Sequence, residues 1–336
     1  MTYRSFGDSI TAGAGASSFS NSYIGRLQSD LSITIDDAAV SSSMVMDQAD
    51  ALYSRSFGVG DKTLIMFGTN DQAKYDLDID KRRYFIDGLR AFSFWSSTVC
   101  TLAPAMSYSG AVATSGLAWG SYGLSAPGAK AAFTSVGDVA ALGSIRQYGN
   151  SSQFKVTIDG IVKGTFNTGG DVRTILGRSY GPMCLAFSGL GAGNHIVEVE
   201  AISANTTNPV FIHWASSGVC NGSAFIANIP HAVAYTYGGS STNVDNYNAA
   251  ILALINELIS YGISVRLAGV VAALNPSDMF DNVHPNDSGH IKIRGIFYTL
   301  ITGNAPPVIL FETKTYIGSD GLFYIGAAGS VKKIDV

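Results

Sequence analysis

Three short clusters in this chain hold the residue types that serine-based acyl transfer needs. Gly7-Asp8-Ser9-Ile10-Thr11 offers a hydroxyl, Gly68-Thr69-Asn70-Asp71 a side-chain amide, and Asp281-Asn282-Val283-His284-Pro285 a carboxylate three residues before an imidazole. A serine hydroxyl is a weak nucleophile until a base takes its proton. A histidine base needs a carboxylate on its other ring nitrogen, which fixes the tautomer and stabilises the imidazolium. Three-residue spacing in a tight turn can bring the Asp281 carboxylate to Nδ1 of His284 and leave Nε2 for Ser9. The Asn70 amide is then placed to donate to the oxyanion that develops on an attacked carbonyl.

Each cluster also has a plainer reading. GDSIT is an ordinary strand-to-loop turn, Asn70-Asp71 is a turn-forming pair, and Asp281 with His284 caps a closing helix. His290 is the rival base, with Asp287 at the same three-residue spacing before it. That pair falls at the start of a predicted helix, where Asp287 reads as a cap and His290 as a packing or capping residue. Gly177-Arg178-Ser179-Tyr180-Gly181 matches the nucleophile elbow G-x-S-x-G, which works only on a strand-to-helix turn. Pro182 and the strand-like MCLAF follow it, so it reads as a chance match. Gly189-Leu190-Gly191-Ala192-Gly193 also lacks a following helix and is no dinucleotide loop.

The elements that must position these residues alternate strand and helix. Tyr3 to Asp8, Ser32 to Val40 and Thr63 to Phe67 read as strands; Ser22 to Leu31, Met46 to Tyr53 and Ile79 to Thr98 read as helices. The TLIMF run suits a strand covered on both faces, and the series implies a parallel, doubly wound sheet. In such a sheet ligands bind beyond the carboxyl ends of the strands, where Ser9 and Asn70 fall. Near Leu102 the pattern changes to glycine-rich, alternating segments. Gln153 to Ile158, Asp159-Gly160 and Ile161 to Phe166 form a strong hairpin signal. Met183 to Phe187, His195 to Ala201 and Val210 to Trp214 also read as strands. The α/β rhythm returns with a strand at Ala224 to Ile229, a helix at Asn243 to Tyr261, a buried strand at Ser264 to Ala273, and a helix at Asn286 to Ile301 capped by Asn286 or Asp287. We therefore expect a discontinuous α/β domain (1–102 and 220–303), an inserted β-rich domain (103–219), and a tail (304–336) with a second Asp-Gly hairpin.

Composition bounds the partners. The 336 residues are 46% hydrophobic and 14% charged, with a net charge of −4, which gives no basic field for nucleic acid. No run reaches the length of a membrane span, and the N-terminus shows no signal peptide. Cys100, Cys184 and Cys220 are too scattered for a zinc site and read as small buried hydrophobes.

GDSIT, GTND and DxxHP, in this order and each after a predicted strand, resemble the SGNH (GDSL-like) hydrolase family. The resemblance covers roughly 3–101 and 222–302. It implies a flavodoxin-like three-layer α/β/α fold around a parallel five-stranded sheet, here carrying the inserted, jelly-roll-like β domain. It further implies Ser9 as nucleophile, His284 as base, Asp281 as its orienter, and an oxyanion hole from Asn70 and the Ser9 amide. The family usually places a glycine after the second strand. Ser42 is the counterpart here, and its amide serves if the backbone avoids positive φ. Asp8 and Asp71 read as residues that hold their loops, and neither metal nor organic cofactor is implied.

The insertion's FKVTIDG and NHIVEVEA strands resemble those of jelly-roll carbohydrate-binding modules. Trp119, Tyr122, Tyr148, Tyr180 and Trp214 supply candidate sugar-stacking faces, or else core. The glycine- and serine-rich style is similar to that of phage tail proteins that deacetylate surface glycans, which implies an extracellular or virion-associated setting. The expected partner is an acylated polysaccharide, with oligomer contacts through the tail. Two rivals stay open: a lipid esterase or thioesterase, and a glycan-binding virion protein that keeps the fold as a scaffold.

Overall fold

The computed structural model describes residues 1–74, 79–114, 121–147, 149, 152–169, 180–236 and 238–305, and the backbone of 314–317, 323–327 and 330–333. In chain order the first elements are β1 (Tyr3–Gly7), α1 (Tyr23–Leu31), β2 (Ile35–Asp37), α2 (Ala49–Tyr53), β3 (Lys62–Met66), α3 (Thr69–Lys74) and α4 (Ile79–Ser97). Eleven strands follow: β4 (Thr98–Leu102), β5 (Ser107–Ser109), β6 (Val112–Thr114), β7 (Tyr122–Leu124), β8 (Lys130–Val136), β9 (Ala140–Gln147), β10 (Gln153–Ile158), β11 (Ile161–Asn167), β12 (Tyr180–Phe187), β13 (Asn194–Ser203) and β14 (Val210–Cys220). The chain then runs through β15 (Ser223–Ala227), α5 (Ser241–Ser260), β16 (Val265–Ala268) and α6 (Asp287–Thr302) to β17 (Lys314–Ile317), β18 (Phe323–Ala327) and β19 (Ser330–Lys333).

A parallel five-stranded sheet in the order β16-β15-β3-β1-β2 forms the centre of the α/β part. Side chains alternate across it. Leu64 and Met66 pack with Tyr23, Ile24, Ile293 and Phe297 of α1 and α6. Ile65 and Phe67 pack with Phe85 and Phe92 of α4 and Ile251 and Leu254 of α5. Both faces are covered, which is why β3 is apolar without a period-two pattern. The chain order reverses between β1 and β3, so the switch point lies beside the carboxyl ends of these two strands.

Two expected strands are shorter than read. Ser32 takes a left-handed conformation as the C-cap of α1 and delays β2. Beyond β16 the Val271 amide bonds the Asn228 side chain at 2.9 Å, so the backbone ladder stops where β15 ends.

Between α4 and β15 lie two antiparallel sheets, β11-β10-β13-β8-β5 and β12-β9-β14-β7-β6, with β4 also on β14. They sandwich Phe154, Val156 and Val199 of one sheet against Leu142, Met183 and Ile212 of the other, a jelly-roll-like all-β unit within the α/β chain. The β10–β11 hairpin turns on Asp159 (φ 51°) and Gly160 (φ 79°), the paired positive φ of a tight two-residue hairpin. The second sheet is buried on its outer face too, where Ala141, Cys184 and Trp214 share a core with Phe92 and Trp95 of α4. At that seam Asp87 of α4 pairs with Arg90 at 2.9 Å and with Arg146 of β9 at 3.5 Å, and Arg90 pairs with Glu257 of α5 at 3.0 Å.

Trp214 is therefore core and no sugar platform: it is 1% exposed and its Nε1–H donates to the Tyr53 hydroxyl at 3.2 Å. Tyr122 stacks on Tyr108; Trp119, Tyr148, the Tyr180 side chain and Ser179 lie outside the described residues. Of the cysteines, all free, Cys184 is buried, whereas Cys100 is partly exposed and Cys220 exposed, its thiol on the Gly262 carbonyl. The tail strands form a three-stranded antiparallel sheet, β17-β18-β19, one strand more than the expected hairpin, whose Asp320-Gly321 turn lies outside the described residues. Among the described residues no helix is long and apolar enough to cross a membrane.

Candidate active site

Gly7 ends β1 in a crowded place. A Cβ there would come within 2.0 Å of the Thr11 hydroxyl oxygen and 2.6 Å of the Met66 carbonyl oxygen. The glycine is required for this close approach, and it is not among the residues with positive φ. Just after it, the Asp8 carboxylate accepts the Ile10 amide at 3.0 Å, which folds the chain back and presents Ser9.

The last turn before α6 builds itself locally. Asp281 Oδ1 accepts the Val283 and His284 amides, each at 2.7 Å, and the Phe280 amide closes the loop on the His284 carbonyl at 2.7 Å. The other carboxylate oxygen, Oδ2, is thereby left 2.8 Å from His284 Nδ1, and His284 Nε2 lies 2.9 Å from Ser9 Oγ. A carboxylate can only accept, so Nδ1 carries the proton and the bare Nε2 accepts from the serine hydroxyl. Burial pushes the Asp281 carboxyl up, but the bonds from the His284 ring and the His284 and Val283 amides outweigh it and the net displacement is downward. The structure thus brings Ser9, His284 and Asp281 into one hydrogen-bonded chain at the carboxyl edge of the parallel sheet.

Asn70 stands at the start of α3, beside Ser9 in a cleft of ≈ 530 Å³. Its Nδ2 donates to the Ser43 carbonyl at 3.0 Å, and its second N–H is left for another acceptor. Ser41 and Ser42 line the same cleft. Ser42 sits at φ 64°, so the backbone without positive φ that the sequence reading set as a condition for its amide is not the one adopted. It occupies the left-handed conformation in which a glycine is at ease, at a cost of about 1 kcal/mol for a residue with a Cβ. No acceptor among the described residues takes its N–H.

The loop that carries Ser42 is clamped by Gln48, which sequence reasoning missed. The buried Gln48 side chain bonds both the amide and the carbonyl of Gly7 and reaches Ser43 Oγ at 2.9 Å. Nothing in the local sequence marks it, since all its partners but Ser43 lie some forty residues away. Asp71 accepts the Val45 amide at 3.3 Å and ties the same loop to α3; burial holds its carboxyl well above the usual range, with Asp8 adding to the effect.

Burial likewise pushes the Asp8 carboxyl up to about 6, against the pull of the Ile10 amide, Thr69 and His284. The folded protein then holds this proton more tightly than the unfolded chain. Its contribution favours folding below the ordinary carboxylate range and is lost as pH rises through about 6. Asp8→Asn is therefore expected to gain stability over the parent above pH 6, by about 3 kcal/mol at most, with the gap closing below pH 4. Urea unfolding at pH 4 and pH 8 reads this directly, and an equal loss at both would show that the carboxylate's hydrogen bonds outweigh its burial.

The rival pair falls elsewhere. His290 is fully buried, with Nδ1 accepting the Tyr23 amide at 3.3 Å and Nε2–H donating to the Ala14 carbonyl at 3.1 Å. Both ring nitrogens are occupied, and burial holds it below its usual range, neutral. Asn286, not Asp287, caps α6 through the Gly289 amide at 3.1 Å. Asp287 is free for another task because it stands one position inside the helix, and it accepts the Ser17 amide and hydroxyl at 2.8 and 2.7 Å.

Another part of the cleft wall comes from a loop that the sequence did not single out. Pro230, Ala232, Ala234 and Tyr235 line it together with Ser9 and His284, and every described residue lining the cleft lies within 9–73 or 230–284. Among the described residues no group of three or more His, Cys, Asp or Glu side chains is placed to hold a metal ion.

No family model matches the chain, and no curated protein matches it. Among solved structures it is similar to a two-domain esterase active on acetylated mannans, co-crystallised with mannopentaose, at 10% identity over 67% of this chain and 91% of that one, with a TM-score of 0.36. It is also similar to a family two carbohydrate esterase from Cellvibrio japonicus, at 15% identity over 51% of this chain and 52% of the other, with a TM-score of 0.29. A third similarity is to a carbohydrate-binding module of family 36 in complex with calcium and xylotriose, at 14% identity over 35% of this chain and 98% of that chain, with a TM-score of 0.28. The solved structures that this chain is similar to thus include carbohydrate esterases and carbohydrate-binding modules, at low identity.

Proposed function

We propose that the protein is a serine ester hydrolase of the SGNH type that removes short acyl groups, acetyl foremost, from a carbohydrate. The observation that carries this reading is the unbroken chain from Ser9 Oγ through His284 to Asp281, at 2.9 and 2.8 Å. Ser9 Oγ attacks the ester carbonyl carbon while His284 Nε2 takes its proton, and Asp281 stabilises the imidazolium so formed. The Ser9 amide and Asn70 Nδ2 receive the oxyanion, joined by the Ser42 amide, which despite its positive φ lines the cleft with no acceptor among the described residues. Collapse expels the alcohol, which takes the proton from Nε2, and water then releases the acid from Ser9 by the same steps in reverse. The small side chains around the serine, Ala14, Ala73, Ala232 and Ala234, suit a short acyl group better than a lipid chain. We take 103–219 as an accessory β domain that shapes access for a polymeric substrate. Acetate release from a panel of acetylated glycans tests the reading, and turnover of long-chain acyl esters alone would replace it with a lipid esterase.

Asn70→Ala is expected to lower kcat on the order of 10²-fold with little change in KM, since this bond tightens chiefly in the transition state. Steady-state kinetics on a nitrophenyl ester separates the two parameters. An effect confined to KM would make Asn70 a substrate-positioning residue instead.

A further inference from the structure

The loop after β15 brings a second set of polar side chains to the cleft, next to the His284 turn. The Val233 amide donates to the Asn282 carbonyl at 2.8 Å, which pins this loop to the turn that holds Asp281 and His284. Tyr235, four residues after His231, places its hydroxyl 3.0 Å from His231 Nδ1. His231 Nε2 in turn lies 3.1 Å from Asp245 Oδ1, in the second turn of α5. Tyr235 lines the cleft beside Ser9 and His284.

The direction of these bonds follows from what each group can do. The Asp245 carboxylate can only accept, and its place 3.1 Å from Nε2 favours the ring tautomer with the proton on Nε2 and a bare Nδ1. A bare ring nitrogen also accepts only, so the Tyr235 O–H must donate to it. The phenolic oxygen is then committed as an acceptor. The Ala232 amide faces it from the loop, and a phenolic oxygen with two lone pairs keeps capacity for one further donor, such as one brought by a substrate in the cleft that Tyr235 lines. A Tyr with a free hydroxyl could offer either a donor or an acceptor; this one is polarised to offer an acceptor.

We propose that Tyr235 reads the alcohol half of the ester by accepting a hydrogen bond from a hydroxyl next to the scissile ester oxygen, and that His231 and Asp245 are its positioning residues. A sugar ring supplies such a hydroxyl beside nearly every acylated position, whereas a simple alkyl ester has none. The inference rests on the ester hydrolase reading and adds to it the feature of the substrate that selects a polyol ester over an alkyl ester.

Glycerol monoacetate and propyl acetate share one carbon skeleton and differ in hydroxyls, so the ratio of their kcat/KM values isolates this contact from the chemistry of the acyl group. The parent enzyme is expected to favour glycerol monoacetate. Tyr235→Phe is expected to shrink the ratio by about 3- to 10-fold, the worth of one neutral hydrogen bond, mainly through KM. His231→Ala, which frees the tyrosine hydroxyl to rotate, is expected to move the ratio in the same direction while leaving Tyr235 in place. A purely structural role for the loop would depress both esters together and leave the ratio unmoved, which overturns the proposal, as does a parent enzyme with no preference. If the folded parent turns over neither ester and Ser9 takes no fluorophosphonate, the hydrolase reading itself fails and this one with it. Turnover of both esters at equal rates sinks only the role of Tyr235.

Discussion

A fluorophosphonate probe is expected to label Ser9, and Ser9→Ala is expected to abolish both labelling and ester turnover, the latter on the order of 10⁶-fold. The size of the effect follows from what the hydroxyl does. In the proposed mechanism it forms the covalent bond to the acyl carbon, so no neighbouring group can take over its part at Oγ. Removal of one small polar atom at a partly exposed position opens no cavity in the core, and the variant's thermal unfolding should track that of the parent. Peptide mapping of the labelled protein decides the matter. Label on Ser179 in place of Ser9 would transfer the chemistry to the β-rich segment and dissolve the reading given above.

Asp281→Asn is expected to cost between about 10² and 10⁴-fold in turnover. An asparagine oxygen can still accept the Val283 and His284 amides, so the turn survives. Its NH₂ then faces Nδ1, and the ring must move its proton to Nε2, where it can no longer accept from Ser9. The upper bound is the loss seen when the buried carboxylate of a serine protease is changed in this way. Asp281 has 47% of its side chain exposed, and water beside it eases the return of the productive tautomer, which argues for the lower part of the range. Undiminished activity would assign the orientation of His284 to a different acceptor.

The contrast between the two His/Asp pairs shows what a sequence can reveal. Asp281 and His284 are legible because their geometry closes within five residues: amide bonds to Asp281 and the Phe280–His284 closure are all local. The ends of β1 and β3 are legible for a related reason, since Gly7-Asp8 marks the first, and the TLIMF run followed by Gly68-Thr69-Asn70 marks the second. The role of Asp287 is not legible, because its partner Ser17 lies 270 residues away. The Tyr235 loop is hidden for the same reason: it has no periodic pattern, and its shape is set by Asn282 and Asp245. Strand β9 fails differently. Seven of its eight residues are buried, so the in-out alternation that reveals a half-buried strand is absent. Its Gly143 is fixed by Trp214, whose indole nitrogen would lie 2.1 Å from any Cβ placed there. Ser42 is identified by its place in the chain alone; its positive φ has no local sequence signal, and the Gln48 and Asp71 bonds that hold the loop fall just after it, at Ser43 and Val45.

Helix α4 packs both against the parallel sheet, where Phe92 meets Phe67, and against the outer face of the β-sandwich, where Trp95 meets Trp214 with ring centroids 5.9 Å apart. A helix used twice in this way makes the two layers thermodynamically dependent. Separation of the sandwich from the body would bare Trp95 on one side and Trp214 on the other, at roughly 1.5–3 kcal/mol for each large side chain returned to water. Such a seam favours one concerted unfolding transition over sequential melting. It also means that the orientation of the β layer relative to the Ser9 cleft is set by packing, not by a tether, so that a polymer bound to one would meet the other at a fixed angle.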